Sequence, residues 1–250
     1  MQFDFEAGEL LLIDKPVGWT SFDVVNHLRV LIRRHLHIPK LKVGHAGTLD
    51  PLATGLLIVC TGKMTKQIQS FQDQDKTYTG TLRLGMTTPS FDLETEADET
   101  FPTDHLTQES LQEARKIFIG TISQFPPIFS AIKIDGKRAF NYARKQQEVK
   151  LGPRVVTINR FELDNIQIPD VNFVIDCSKG TYIRSLAHDF GKSLQNGACL
   201  TALRRTHIGN FSVENALSLE QLRELLASQN PQNITGQETV TASENGSSLT

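Results

Sequence analysis

At 250 residues, with 39% hydrophobic and 22% charged side chains, 17 Gly and 10 Pro, the chain has the composition of a soluble globular protein with a sizeable core, which excludes a disordered tail protein and a Cys-rich secreted scaffold. A formal net charge of -2 at pH 7 argues, taken alone, against a nucleic-acid partner. Apolar runs such as Leu10 to Ile13 fall far short of the ~20 residues that span a bilayer, and the amino terminus lacks a secretory pattern, so no membrane segment and a cytoplasmic location are expected.

In chain order, Leu10 to Asp14 reads as a strand ending at the Lys15-Pro16-Val17-Gly18 turn. A helix follows: Thr20 with Asp23 forms a capping box, Phe22, Val25, Leu28, Ile32 and Leu36 recur on one face, and Pro39 ends it. After the irregular, Gly-rich segment Val43 to Pro51 comes a buried strand from Leu56 to Cys60. Lys76 to Leu84 alternates as a half-exposed strand with Tyr78, Gly80, Leu82 and Leu84 on one face. The acidic stretch Pro89 to Asp104 is expected as a surface loop, ahead of a helix from about Thr107 to Ile119 with Leu111, Ala114 and Phe118 inward. Gln124-Phe125-Pro126-Pro127 opens a basic excursion to about Gln146, with a short strand, a turn at Gly136 and a helix through Arg144 and Lys145.

Strands near Val155 to Leu163 and Asn172 to Cys177, a helix from about Tyr182 to Leu194, a strand near Leu200 to Thr206 and a helix capped at Ser218 complete the ordered part. From Ser228 to Thr250, 16 of 23 residues are Ser, Thr, Asn, Gln or Gly, which predicts a disordered tail beyond a single domain of residues 1–227. Strands do not alternate strictly with helices, so the fold class is α+β rather than doubly wound. Cys60, Cys177 and Cys199 are far apart and in apolar company, as reduced structural thiols are.

The near-neutral charge hides a segregated distribution. Leu28 to Lys66 holds seven basic residues against Asp50, Lys133 to Arg160 eight against two acids, and Ser178 to Arg205 five against Asp189, while Pro89 to Arg115 holds eight acids against one Arg. A one-sided polyanion site looks like this, although any single block is equally a solvated face. Asp50, alone among cations and flanked by Gly44, Gly47 and Pro51, is either a nucleophile held ionised by its neighbours or a loop Asp making an Asx-turn before Pro. A Walker loop fails because Met64 follows Thr61-Gly62-Lys63, and His35, His37 and His45 lack the spacing of metal ligands. No metal or cofactor is expected.

Gly44-His45-Ala46-Gly47-Thr48-Leu49-Asp50-Pro51-Leu52-Ala53-Thr54-Gly55-Leu56-Leu57 resembles the catalytic motif of the TruB family of tRNA pseudouridine-55 synthases. Further family-like pieces occur in order: Asp14 to Ser21, Lys76-Thr77-Tyr78, Gln124 to Pro127 with Ser130 to Lys133, Lys179 to Leu186, and Leu203-Arg204-Arg205. Together they cover about residues 10 to 215.

The resemblance implies a pseudouridine synthase fold, with a central mixed, mostly antiparallel sheet, flanking helices and a catalytic cleft. It implies Asp50 as nucleophile, Tyr78 stacking on the uracil, Arg184 pairing with Asp50, and Tyr182 and Leu203 as pocket walls. His45 would face the nucleotides displaced by base flipping, residues 124–146 would be an RNA-gripping insertion, and Lys15 and Pro16 would support the catalytic loop. The implied substrate is the TΨC arm of tRNA, with no obligate protein partner and a monomeric enzyme. Many relatives add a small carboxy-terminal RNA-binding domain, which the polar tail lacks the apolar residues to form. An RNA-folding module and an Asp-nucleophile ribosyl hydrolase are the other readings.

Overall fold

The computed structural model describes residues 3–130, 132–134, 136–139, 142, 147 and 151–228. The helix through Arg144 and Lys145 and the tail beyond residue 228 lie outside the described residues. The elements run β1 (Leu10–Lys15), α1 (Ser21–Leu36), β2 (Val43–His45), β3 (Thr54–Thr61), α2 (Ile68–Gln72), β4 (Lys76–Leu84), β5 (Met86–Thr87), β6 (Glu99–Thr100), α3 (Gln108–Lys116) and β7 (Gly120–Gln124). They continue with β8 (Lys133–Ile134), β9 (Lys137–Arg138), β10 (Arg154–Gln167), β11 (Asp170–Cys177), α4 (Ile183–Ser193), β12 (Ala198–Ile208), β13 (Phe211–Ser212) and α5 (Leu219–Ser228).

One nine-stranded sheet organises the fold in the order β1-β3-β12-β4-β11-β10-β7, with β2 on β3 and β13 on β12. Its pairings are antiparallel except β12 with β3, so the sheet is mixed and mostly antiparallel, as expected. β3 is buried on both faces, which is why it reads as a continuous apolar run. Leu57 and Val59 pack on one side with Val24, Leu28 and Ile32 of α1 and Leu222 and Leu226 of α5. Leu56, Ile58 and Cys60 pack on the other with Phe71 and Ile208. The largest cluster joins Leu82 and Leu84 of β4, Phe161 of β10 and Phe173 of β11 to Leu111 of α3 and Leu186 and Phe190 of α4. The three cysteines are free and buried, and burial pushes Cys60 and Cys199 up to about 11. Among the described residues no helix is long and apolar enough to cross a membrane.

Two local expectations change. The capping box of α1 forms, with Thr20 Oγ1 accepting from the Asp23 amide and Asp23 from the Thr20 amide, and His37 in the left-handed region closes the helix before Pro39. Its buried face is Val24, Val25, Leu28, Leu31 and Ile32, with Leu36 packed beside it, so the expected face holds except at Phe22, which is 65% exposed. Period and phase were both legible, and only Phe22, in the first turn, lies beyond what the neighbouring elements cover. The acidic stretch divides: residues 93–100 are largely exposed, but Ser90 and Asp92 are buried, and Phe91 O accepts from Leu200 N of β12.

Gly55 shows how tightly β3 and β12 approach. Its φ is +101°, and a Cβ there would stand 2.3 Å from the Arg205 carbonyl oxygen. Gly55→Ala is expected to destabilise the fold by about 3 kcal/mol, because the clash is with backbone in the sheet's one parallel pair. Urea midpoints of the two proteins check this.

Candidate active site

The Asp50 loop joins β2 to β3 and is fastened from three sides. Ser21, at the start of α1, holds Leu49 reciprocally: its Oγ accepts from Leu49 N at 2.8 Å and donates to Leu49 O at 3.2 Å. Lys15, wholly buried, donates to the carbonyls of Pro16 (3.0 Å), Trp19 (2.6 Å) and Pro51 (3.3 Å), and burial brings its pKa down to about 8. Arg205 of β12, also buried, donates to Gly47 O at 3.0 Å and Leu56 O at 2.8 Å. Three buried cations or hydroxyls thus satisfy carbonyls that an irregular loop cannot pair with itself.

Arg184 stands in the first turn of α4 and is 3% exposed. A cation at a helix N-terminus opposes the helix dipole, so its burial needs counter-charge. Its Nε lies 2.9 Å from Asp50 Oδ2 and 3.6 Å from Asp92 Oδ2. Its Nη1 and Nη2 donate to Ser90 O (2.9 Å) and Phe129 O (2.7 Å). Asp50 therefore makes an ion pair with Arg184 rather than an Asx-turn, and remains 38% exposed towards the cleft. Burial raises the Asp50 pKa, with Arg184 opposing and Asp92 adding to the rise. Arg184 and Lys15 do favour the charged form, as a basic surrounding would, but burial and Asp92 act against them. Most of the lysines and arginines near it in sequence lie elsewhere on the surface, whereas a second carboxylate, invisible in sequence, shares its ion-pair partner Arg184.

A cleft of about 750 Å³ opens at Asp50, bordered by Tyr78 from β4, Tyr182 from the N-cap of α4 and Leu203 from β12. These expected residues are brought together. Tyr78 is 8% exposed, and its phenol pKa is raised by burial, with Arg205 opposing through charge and a hydrogen bond. His45 is on β2, opposite Val59, and does not border this cleft.

Sequence reasoning did not single out Asp92, Gln124 or Arg205 as site residues. Gln124, at the end of β7 and 2% exposed, clamps the Tyr182 backbone with both ends of its amide: Oε1 accepts from Tyr182 N (2.8 Å) and Nε2 donates to Tyr182 O (3.0 Å). Ser185 Oγ donates to Phe125 O at 2.7 Å. The start of the 124–146 excursion is therefore bonded to α4, and its tip at β8 and β9 is a two-stranded hairpin. Gln124 and Arg205 lay in the quoted motifs, which carry no indication of partner, and Asp92 lay in none of them.

Two family profiles match: "TruB family pseudouridylate synthase (N terminal domain)" over residues 33–183 and "tRNA pseudouridylate synthase B C-terminal domain" over residues 184–238. The boundary between them falls inside α4, and β12, beyond it, is central to the sheet. A protein of Flavobacterium johnsoniae named tRNA pseudouridine synthase B is 52% identical over 224 residues, 89% of this chain and 98% of the relative. Its namesake in Phocaeicola vulgatus is 53% identical over 226 residues, 90% and 96% of the two chains. Among solved structures, a chain of a Cbf5-Nop10-Gar1 complex superposes with a TM-score of 0.65 at 30% identity, over 88% of this chain and 54% of that one. The ordered motifs, the mixed sheet, the paired Asp50 and Arg184 and relatives alike over nearly their whole length converge, and the chain belongs to the TruB family of pseudouridylate synthases.

Proposed function

We propose that this enzyme isomerises uridine 55 in the TΨC loop of tRNA to pseudouridine, in the cytoplasm, with Asp50 as nucleophile. The observation that carries the reading is the Asp50 carboxylate, open to a nucleoside-sized cleft and paired at 2.9 Å with a buried arginine. The names of its relatives supply the substrate class.

The uridine sits inside a folded loop and is reached by base flipping. Tyr78 stacks on the uracil, contributing about 1–3 kcal/mol towards the unstacking cost. Tyr182 and Leu203 close the pocket, and His45 meets the nucleotides left behind. Arg184 orients Asp50 and, being held by two carbonyls and Asp92, does not follow the carboxylate when it moves onto the substrate. The carboxylate displaces the uracil at C1′ or adds to the ring, the N1–C1′ bond breaks, the uracil turns, C5 bonds to C1′, and the bond to Asp50 breaks to return the free carboxylate. The proton lost from C5 is balanced by one gained at N1, so atoms and electrons close without a redox partner.

The test is incubation with an unmodified tRNA transcript, followed by carbodiimide primer extension. A single stop at the TΨC uridine is expected. Release of free uracil would favour a ribosyl hydrolase, and bound but unmodified tRNA an RNA-folding module.

A further inference from the structure

Three consecutive residues bring the acidic stretch against α4. Ser90 O accepts from Arg184 Nη1 at 2.9 Å, and Asp92 Oδ2 lies 3.6 Å from Arg184 Nε. Between them the Phe91 ring stacks on His188, with centroids 4.1 Å apart and planes 19° from parallel. Arg184 and His188 are i and i+4 on α4, hence on one face. The chain presents a carbonyl, a ring and a carboxylate in succession because Phe91 has a φ of +62°, a left-handed conformation that a bulky residue keeps only where its surroundings hold it. Its amide donates to Thr88 O at 3.0 Å, and its carbonyl accepts from Leu200 N at 2.9 Å.

Among the described residues, the hydrogen bonds and ion pairs between this segment and α4 all run through Arg184, the group that must also face Asp50. The ring stack is a second attachment that does not draw on Arg184. His188 contributes its face: Nδ1 is buried without a hydrogen-bond partner, so the ring is not held there as a donor or acceptor. Burial lowers the His188 pKa, with Lys192 of the same helix adding to the fall and Asp189 and Asp98 opposing it. At neutral pH the ring is therefore an uncharged aromatic surface. Neither Phe91 nor His188 borders the cleft, so any effect on the reaction passes through the residues they place.

We propose that Phe91 and His188 are positioning residues for the isomerisation: their stack sets where the Asp92 carboxylate stands against Arg184, and through Arg184 how Asp50 faces the substrate. The inference rests on the proposed reaction at Asp50. It carries a signature that simple packing lacks. Asp92 contributes to the raised pKa of Asp50, so a displaced Asp92 moves the acid limb of the pH profile as well as the rate.

The experiment measures single-turnover rates against pH on an unmodified tRNA transcript, together with tRNA affinity and urea midpoints. Phe91→Gly removes the ring while favouring the left-handed backbone, so the turn keeps its shape. His188→Ala removes the opposite face, and His188→Phe keeps it. Phe91→Gly and His188→Ala are expected to react about tenfold more slowly than the wild type, with tRNA affinity changed less than about twofold and an acid midpoint lowered towards that of Asp92→Asn. His188→Phe should recover both the rate and the midpoint. In an Asp92→Asn background there is no charge to misplace, so adding Phe91→Gly should leave the midpoint unchanged. Wild-type rates and midpoints in Phe91→Gly and His188→Ala, or a lower urea midpoint with unchanged kinetics, would overturn the proposal and reduce the stack to packing. A His188→Phe enzyme no better than His188→Ala would overturn it too. A wild type that forms no pseudouridine would instead overturn the tRNA reading beneath it.

Discussion

Asp50→Asn is expected to form no detectable pseudouridine, a loss of at least about 10⁴-fold in kcat/KM, by analogy with removal of other covalent nucleophiles. Its affinity for tRNA should change less than about threefold, since the amide keeps the volume and the loop is held by Lys15, Ser21 and Arg205 rather than by the Asp50 side chain. Near wild-type turnover by this variant would end the nucleophile assignment.

The same residue sets the acid limb of the pH profile. Only the ionised carboxylate attacks, and burial, reinforced by Asp92 and opposed by Arg184, raises its pKa above 3.8. Activity is therefore lost as pH falls through a midpoint higher than that of an ordinary aspartate. Asp92→Asn removes one contribution to the rise, so its midpoint should lie below that of the wild type. Single-turnover rates across acidic pH, on protein shown by circular dichroism to be folded, check the order.

Arg184→Met is the second large effect. Removing this buried cation leaves Asp50 and Asp92 facing each other without a counter-charge and the carbonyls of Ser90 and Phe129 without their donor. Breaking such an arrangement costs about 3–5 kcal/mol of stability. Arg184→Lys separates fold from chemistry. A lysine keeps the charge but not the planar fork that reaches two carbonyls and two carboxylates at once, so most of the stability should return while activity stays down by about 100-fold or more. Urea denaturation and single-turnover kinetics on both variants are the measurements. Wild-type activity in the lysine variant would show that charge alone suffices.

Much of the architecture was readable in local pattern. The capping box at Thr20, the alternation of Lys76 to Leu84, the apolar run of β3 and the helical period that starts near Thr107 are local patterns, and each element formed near its expected bounds. The Asp50 motif was readable because its glycines and proline are contiguous with the reactive residue. The exposure of Phe22 in the first turn of α1 was not, because how far an apolar stripe is covered depends on the reach of the neighbouring elements.

The composition, the α+β class and the motif order that marks the family were determined by sequence alone, since each is written in contiguous residues. The environment of Asp50 was decided only by the tertiary structure. Arg184 comes from a helix 134 positions later in the numbering, Asp92 from an acidic stretch that reads as surface, and Arg205 from the strand that runs parallel to β3. Charge counted along the chain placed Asp50 among cations. Charge counted through space gives it Arg184 as ion-pair partner, shared with a second carboxylate, and the buried Lys15 beyond ion-pair distance, in a site where burial outweighs attraction. Coulomb energy depends on distance and local dielectric, and neither is a property of sequence spacing.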